Sequence, residues 1–248
     1  LITVCYNSES TITDTLKSVS EQTYNNIEHI VIDGGSGDST MSLVAKYGER
    51  VVKSISEKDK GIYDAYNKGL MLATGEIIGF INSDDFYASK TVVAEAMSVF
   101  EDPSIDACHA NLFYVHPIDL SKIKRIWKSW NYQDVDFERG HLPAHPTVFL
   151  RREVYEKYGD FSSEFGMVGD VDFVLRIFYG QKIKSIHVDK TWVHMRSGGA
   201  TGVGGLKGVI NQGQAIRATQ RNNGIHSSSI TYWLVKILSR VSQIVKAR

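Results

Sequence analysis

Cysteine is scarce in this sequence: only Cys5 and Cys108 occur, each inside an apolar, strand-like run. Two thiols so placed make neither a disulfide framework nor a metal site, and they read as reduced core residues in a cytoplasmic setting. A basic excess is missing too. Lys+Arg and Asp+Glu both number 28, which argues against a dedicated nucleic-acid binder. No run of about 18 apolar residues marks a membrane span, and no signal peptide is visible. Internal repeats and low-complexity tracts are absent. Two glycine patterns that announce common cofactors are also lacking. Gly34-Gly35-Ser36-Gly37 has the wrong spacing for G-x-G-x-x-G and follows the second predicted strand, and no G-x-x-x-x-G-K-[ST] exists. Hydride transfer and P-loop chemistry are therefore set aside.

What is present is a regular alternation. Apolar β-branched runs at 1–6, 27–32, 51–55 and 77–81 predict strands, and helical spacing predicts helices at 11–20, 41–47, 61–75 and 90–100. Such alternation means an α/β fold with a doubly wound, mostly parallel central sheet and helices on both faces. Further strands are expected within 105–115, near 150, at 183–188 and at 191–195, with helices at 151–158 and from Val171. Between 116 and 140, aromatic residues lie among charges without clear period, as in a functional loop or flap. The tail from Ile230 is amphipathic, with Ile230, Leu234, Ile237, Leu238, Val241 and Val245 on one face and Lys236, Arg240 and Lys246 off it. It could pack on the domain or lie on an anionic membrane surface.

Four stretches carry possible chemistry. The strand at 77–81 runs into Asn82-Ser83-Asp84-Asp85; paired carboxylates at a strand's carboxyl end suit a divalent cation bridging to a phosphate-bearing ligand, and equally suit a capping turn. Asp33 ends the second strand, where it could read a nucleotide or simply form a turn with Gly34. Asp59 and Lys60 precede a helix whose first N–H groups would face an anion such as a diphosphate, with ordinary capping as the alternative. Asp170 opens a late helix, where taken alone an N-cap is the commoner role.

Together these blocks resemble the inverting glycosyltransferases of family 2, which have the GT-A fold. The resemblance rests on Ile2-Thr3-Val4-Cys5-Tyr6-Asn7-Ser8-Glu9, on Ile30 through Thr40, on Asp59 through Gly69, and on Asn82-Ser83-Asp84-Asp85, in this order and spacing. It runs from Ile2 to about Gly199, and the second and third blocks look most like enzymes that build bacterial surface polysaccharides such as colanic acid and O-antigen. The resemblance implies that Tyr6, Asn7 and Glu9 line the nucleobase and ribose pocket, with Asp33 on the base. It puts Asp59 and Lys60 by the diphosphate or donor sugar, Ser83 and Asp84 on the donor, and Asp84 and Asp85 on a Mn²⁺ or Mg²⁺ ion. Asp170 matches the catalytic base, with Gly169 where the family has Glu. His194 is a candidate late metal ligand, a lone histidine beside a strand being more often structural, and His145, Gly198 and Gly199 are candidates for the acceptor side. Residues 1–225 would form the GT-A domain, with 1–115 for the nucleotide-sugar and 116–225 for the acceptor, followed by an amphipathic helix at 226–248. The implied partners are a nucleotide-sugar, most often a UDP-sugar with GDP-sugars as the alternative, and a saccharide or lipid-linked acceptor. With no signal peptide or span visible, a cytoplasmic protein is expected, and the basic tail allows peripheral contact with the inner membrane face. A sugar-nucleotide pyrophosphorylase is disfavoured, because Asn7-Ser8-Glu9-Ser10 lacks its basic glycine-rich loop. A catalytically inactive nucleotide-sugar or carbohydrate-binding protein remains as the alternative.

Overall fold

The computed structural model describes residues 1–198, 205–226 and 228–245. Its first half follows the strand–helix alternation: β1 (Ile2–Cys5), α1 (Ile12–Ser20), β2 (His29–Asp33), α2 (Thr40–Tyr47), β3 (Val51–Ser56), α3 (Ile62–Leu72) and β4 (Ile77–Gly79). β1, β2 and β3 pair in parallel, because each helix carries the chain back across the sheet before the next strand begins. Both faces of β2 are covered, as its unbroken apolar run requires. Ile30 and Ile32 pack with Tyr63 and Tyr66 of α3, whereas Val31 packs with Ile12 and Leu16 of α1 and Val44 of α2. Cys5 and Cys108 are buried free thiols.

The second half contains β5 (Asp85–Tyr87), α4 (Val92–Val99), β6 (Ala107–Val115), β7 (Ile123–Trp127), α5 (Asp134–Glu138), β8 (Phe149–Arg151), α6 (Arg152–Tyr158), α7 (Gly169–Val174), β9 (Ser185–Arg196), α8 (Gly205–Asn222) and α9 (Ser229–Val245). Its sheet has the order β4-β8-β6-β9-β5, with β7 paired to β6. It joins the first sheet through one parallel bridge between Ile2 and Phe80. Pairing in this half is mixed: β6 and β9 are parallel, and the other pairs are antiparallel. The parallel character read from the alternation thus belongs to the first half.

Three further differences have local causes. The stretch expected to be irregular at 116–140 holds β7, which returns antiparallel along Leu112–Val115, and the short helix α5. The strands expected at 183–188 and 191–195 are one strand, β9. Irregularities in its register against β6 at Ala110–Leu112 absorb the polar Asp189-Lys190 pair without a turn. The helix α8 has no counterpart in the sequence reading. Among its described positions, Gly213, Ile216, Arg217, Thr219 and Gln220 are buried, and of these only Ile216 carries a large apolar side chain, so its apolar stripe is weak.

Candidate active site

The carboxyl ends of β1 and β4 open into one cleft of about 1920 Å³. That is larger than the few hundred to about 1,000 Å³ usual for a single small ligand, so two can be held together. At the end of β1 the chain turns through Asn7, which takes a left-handed conformation (φ 48°) that asparagine tolerates. The turn is stitched to the loop after β2. Asn7 Oδ1 accepts from the Gly37 amide (3.0 Å), Glu9 Oε2 accepts from the Ser39 amide (3.0 Å), and the Ser8 amide donates to Thr40 Oγ1 (2.8 Å). Tyr6, 65% exposed, stands at the mouth of the cleft. Gly34 lies between it and Asp59: a methyl there would be 3.0 Å from Asp59 Oδ2 and 3.4 Å from the Tyr6 ring.

Asp33 is fully buried behind this loop. Its Oδ2 accepts from the Ser36 amide (2.9 Å) and the Ser56 hydroxyl (2.6 Å), and Oδ1 accepts from the Ser36 hydroxyl. Burial raises its pKa, but these hydrogen bonds outweigh burial and hold the carboxyl below its ordinary value. Asp59 lines the cleft and is fixed by Lys68, whose ammonium also reaches Glu57 and Asp64 at 2.8 and 3.3 Å. The Lys60 amide donates to Asp64 Oδ2 (3.0 Å) at the start of α3.

Asn82 through Asp85 form the floor. The Tyr66 hydroxyl donates to Asn82 Oδ1 (2.6 Å), while Asn82 Nδ2 faces Asp85 Oδ2 at 3.4 Å. An aspartate in place of Asn82 would remove that donor and add a third negative charge. The Ser83 and Ser8 hydroxyls hydrogen-bond at 2.8 Å, and the Arg196 guanidinium donates to the Asp84 carbonyl at 2.7 Å. Asp85 begins β5, is completely buried, and has an Oδ1 without a hydrogen-bond partner. Burial pushes the Asp84 carboxyl up. Burial, then the charge of Asp84, pushes Asp85 well up. Two adjacent carboxyls, Asp84 half-buried and Asp85 buried with an orphaned oxygen, fit a divalent cation: its charge would relieve both the desolvation and the repulsion.

Asp170 approaches from α7. It does not act as an N-cap, because Val168 occupies that position and no side chain caps the helix. Instead Asp170 Oδ1 accepts from the Tyr63 hydroxyl at 2.8 Å. Burial, then Asp170, pushes the Tyr63 phenol up. Tyr66 reports on the whole arrangement: after burial, the charges of Asp170, Asp85 and Asp84 all raise its pKa. His145 also lines the cleft, with its ring 5.8 Å from that of Tyr66, and burial lowers its pKa against the opposing charge of Asp170.

Of the residues picked out from sequence, Tyr6, Asn7, Asp59, Ser83, Asp84, Asp85, His145, Asp170 and Gly198 line this one cleft, whereas Glu9, Asp33, Lys60 and His194 do not. Gly199 lies outside the described residues. The His194 expectation needs correction. Side chains alternate along a strand, and with Met195 opposite Asp85, His194 pairs with Phe86 and points to the other face, its ring between those of Phe86 and Phe113. Tyr63, Tyr66, Lys68 and Arg196 were not picked out. Three of them lie inside the block Asp59–Gly69, where helical spacing accounts for Tyr66 as a core position.

Gly169 has a steric reason. A methyl at this position would meet the Ser162 carbonyl oxygen at 2.4 Å and the Tyr63 ring at 2.8 Å. Gly169→Ala is therefore expected to destabilise the fold by about 1–3 kcal/mol and to displace Tyr63 from Asp170. Denaturant melts together with transfer assays check this, and an unaltered midpoint would contradict it.

The family model for glycosyl transferase family 2 matches residues 1–159. An uncharacterized glycosyltransferase of Mycobacterium tuberculosis is 31% identical over 178 residues, covering 71% of this chain and 67% of that protein. Among solved structures, S. aureus TarS 1-349 in complex with UDP-GlcNAc superposes with a TM-score of 0.67 at 19% identity, covering 89% of this chain and 66% of that one. The mannosyltransferase PcManGT of Pyrobaculum calidifontis, in complex with GDP-Man and Mn²⁺, gives 0.64 at 19% identity, covering 96% and 68%. This chain thus spans about two thirds of the length of each. The likeness to the solved structures shows a GT-A fold.

Proposed function

Because the chain belongs to glycosyl transferase family 2, we propose that it moves a hexosyl or N-acetylhexosaminyl group from a nucleotide-diphosphate donor to an acceptor hydroxyl, inverting the anomeric carbon. One observation carries this reading: Asp84, Asp85 and Asp170 line the same cleft around Tyr66. The acceptor oxygen attacks the anomeric carbon as the bond from that carbon to the diphosphate oxygen breaks, and the electron pair leaves with the nucleotide. Asp170 accepts the hydroxyl proton. Tyr63, donating to Oδ1, orients the carboxylate and leaves Oδ2 for the proton. Tyr6 and Asn7 line the nucleoside side, and Asp59 and Ser83 flank the donor. His145 and Gly198 face the acceptor.

Asp84 and Asp85 would hold Mg²⁺ or Mn²⁺. When bound, the ion supplies positive charge against the leaving diphosphate. The described residues present no set of three His, Cys, Asp or Glu able to hold a metal, so donor oxygens and water would complete its shell, as these ions favour. A UDP-sugar is the donor we favour. The UDP-GlcNAc bound to TarS supports it, and the GDP-Man bound to PcManGT makes GDP-sugars the comparison to run. With UDP-sugar and Mn²⁺ together, thermal unfolding should rise by about 5 °C at saturation, and neither component alone should match that. No shift with any nucleotide-sugar would overturn the proposal.

The acceptor is a saccharide or lipid-linked oligosaccharide of bacterial surface polysaccharide synthesis. No helix among the described residues is long and apolar enough to cross a membrane. In α9 the apolar side faces outward: Ile230, Leu234, Ile237 and Val241 are each more than half exposed, while Tyr232 is buried. This stripe would give peripheral contact with a membrane. Replacing these four residues by Glu should abolish co-sedimentation with anionic vesicles and keep the UDP-sugar shift; retained sedimentation would refute the contact.

A further inference from the structure

The cleft has a wall of cations that the transfer step does not use. β7 contributes Arg125, and α9 contributes Lys236 and Arg240. Lys68, Arg196 and Lys128, at or beside the cleft, have acidic partners: Lys68 holds three carboxylates, Arg196 reaches Asp14, and Lys128 reaches Asp189 at 3.5 Å, whereas Lys58 and Lys124 line the cleft as exposed, solvated side chains. Among the described residues, neither Arg125, Lys236 nor Arg240 forms a salt bridge. Arg125 lies 3.5 Å above the Tyr114 ring, and its Nε is buried without a hydrogen-bond partner. Burial, then the charges of Arg240 and Arg125, pushes Lys236 down to about 8. Three like charges gathered in a partly desolvated wall oppose one another unless an anion joins them.

The position of this wall points to the acceptor. Tyr114, whose ring Arg125 covers, lines the same cleft as Asp84 and Asp85; burial pushes its phenol up, with Arg125 and Arg240 opposing that rise and Asp85 adding to it. Beside them Trp130 and Tyr132 pack at 4.7 Å, and Trp130 meets His141 at 5.1 Å, an aromatic surface suited to a sugar ring. In the reading above, the donor's diphosphate would take its counter-charge from the cation that Asp84 and Asp85 would hold. Guanidinium groups bind phosphate oxygens in a forked geometry, and three cations match a multiply charged ester better than one carboxylate.

We propose that Arg125, Lys236 and Arg240 form a subsite for a phosphate or diphosphate ester on the acceptor, making the acceptor class a phosphorylated saccharide. This rests on the glycosyltransferase reading, and the two can fail separately. Calorimetric titration with inorganic pyrophosphate in metal-free buffer tests the subsite, and UDP with Mn²⁺ tests the donor site. Pyrophosphate should bind the full chain, and Arg240→Gln, at an exposed position, should weaken it roughly tenfold. Arg125→Gln should do the same, with circular dichroism confirming the fold. Asp85→Asn should leave pyrophosphate binding intact and abolish the metal-dependent binding of UDP. Pyrophosphate binding unaffected by Arg240→Gln and Arg125→Gln would overturn the subsite. An equal loss of UDP binding in those variants would assign the cations to the donor and overturn the acceptor claim. Failure of UDP to bind the unaltered protein, with pyrophosphate still bound through the cations, would sink the donor reading alone.

Discussion

Asp170→Asn is expected to lower sugar transfer by roughly 10²–10⁴-fold, the usual contribution of a positioned general base, while leaving the UDP-sugar thermal shift in place. An asparagine oxygen can still accept from Tyr63, whose hydroxyl is 2.8 Å from Oδ1, so the surroundings should stay ordered. The amide cannot take the acceptor's proton. Measured against saturating donor, the loss should therefore appear in kcat. Full transfer by this variant would remove Asp170 as the base.

Asp85→Asn should act in two opposite directions. Burial and Asp84 hold the Asp85 carboxyl well above its ordinary value. A carboxyl whose native pKa exceeds the unfolded one costs stability as pH rises through the native value, because the folded state binds the extra proton. The metal-free variant should thus be more stable than the unaltered chain at neutral pH. At the same time it should lose the Mn²⁺-dependent binding of the donor. In the unaltered chain, Mn²⁺ affinity should climb with pH, by up to about tenfold per unit for each proton displaced, until the raised carboxyls are ionised. Mn²⁺ titrations between pH 5.5 and 8, paired with urea melts, check both halves. A Mn²⁺-dependent shift that survives in Asp85→Asn would move the ion onto other ligands.

Legibility in the sequence varied from element to element for physical reasons. β1, β2 and β4 were plain, because a strand buried on both faces must be apolar throughout. α3 was plain from Ile62, Tyr66 and Leu70, yet the same spacing hid the site roles of Tyr63 and Tyr66, which are core residues along their rings and site residues only at their hydroxyls. β7 was missed, since a strand that borders a cleft carries Arg125 and Trp127 where a core strand would alternate. The tail's amphipathic pattern was visible, but the direction in which it faces was not. Trp233 of α9 fits only because Gly213 of α8 has no side chain, where a methyl would come within 2.2 Å of the ring.

By itself, the sequence determined the α/β class, the family resemblance and the candidate acids, because strand length, turn chemistry and adjacent carboxylates are local properties. Only the tertiary structure decided which candidates meet. It brought Asp84, Asp85 and Asp170 to one cleft, sank Asp33 behind a loop, turned His194 to the other face of β9, and set Lys236 and Arg240 beside Arg125. Those outcomes depend on strand register and helix rotation, which arise when distant segments pack together and leave no periodic trace within any one of them.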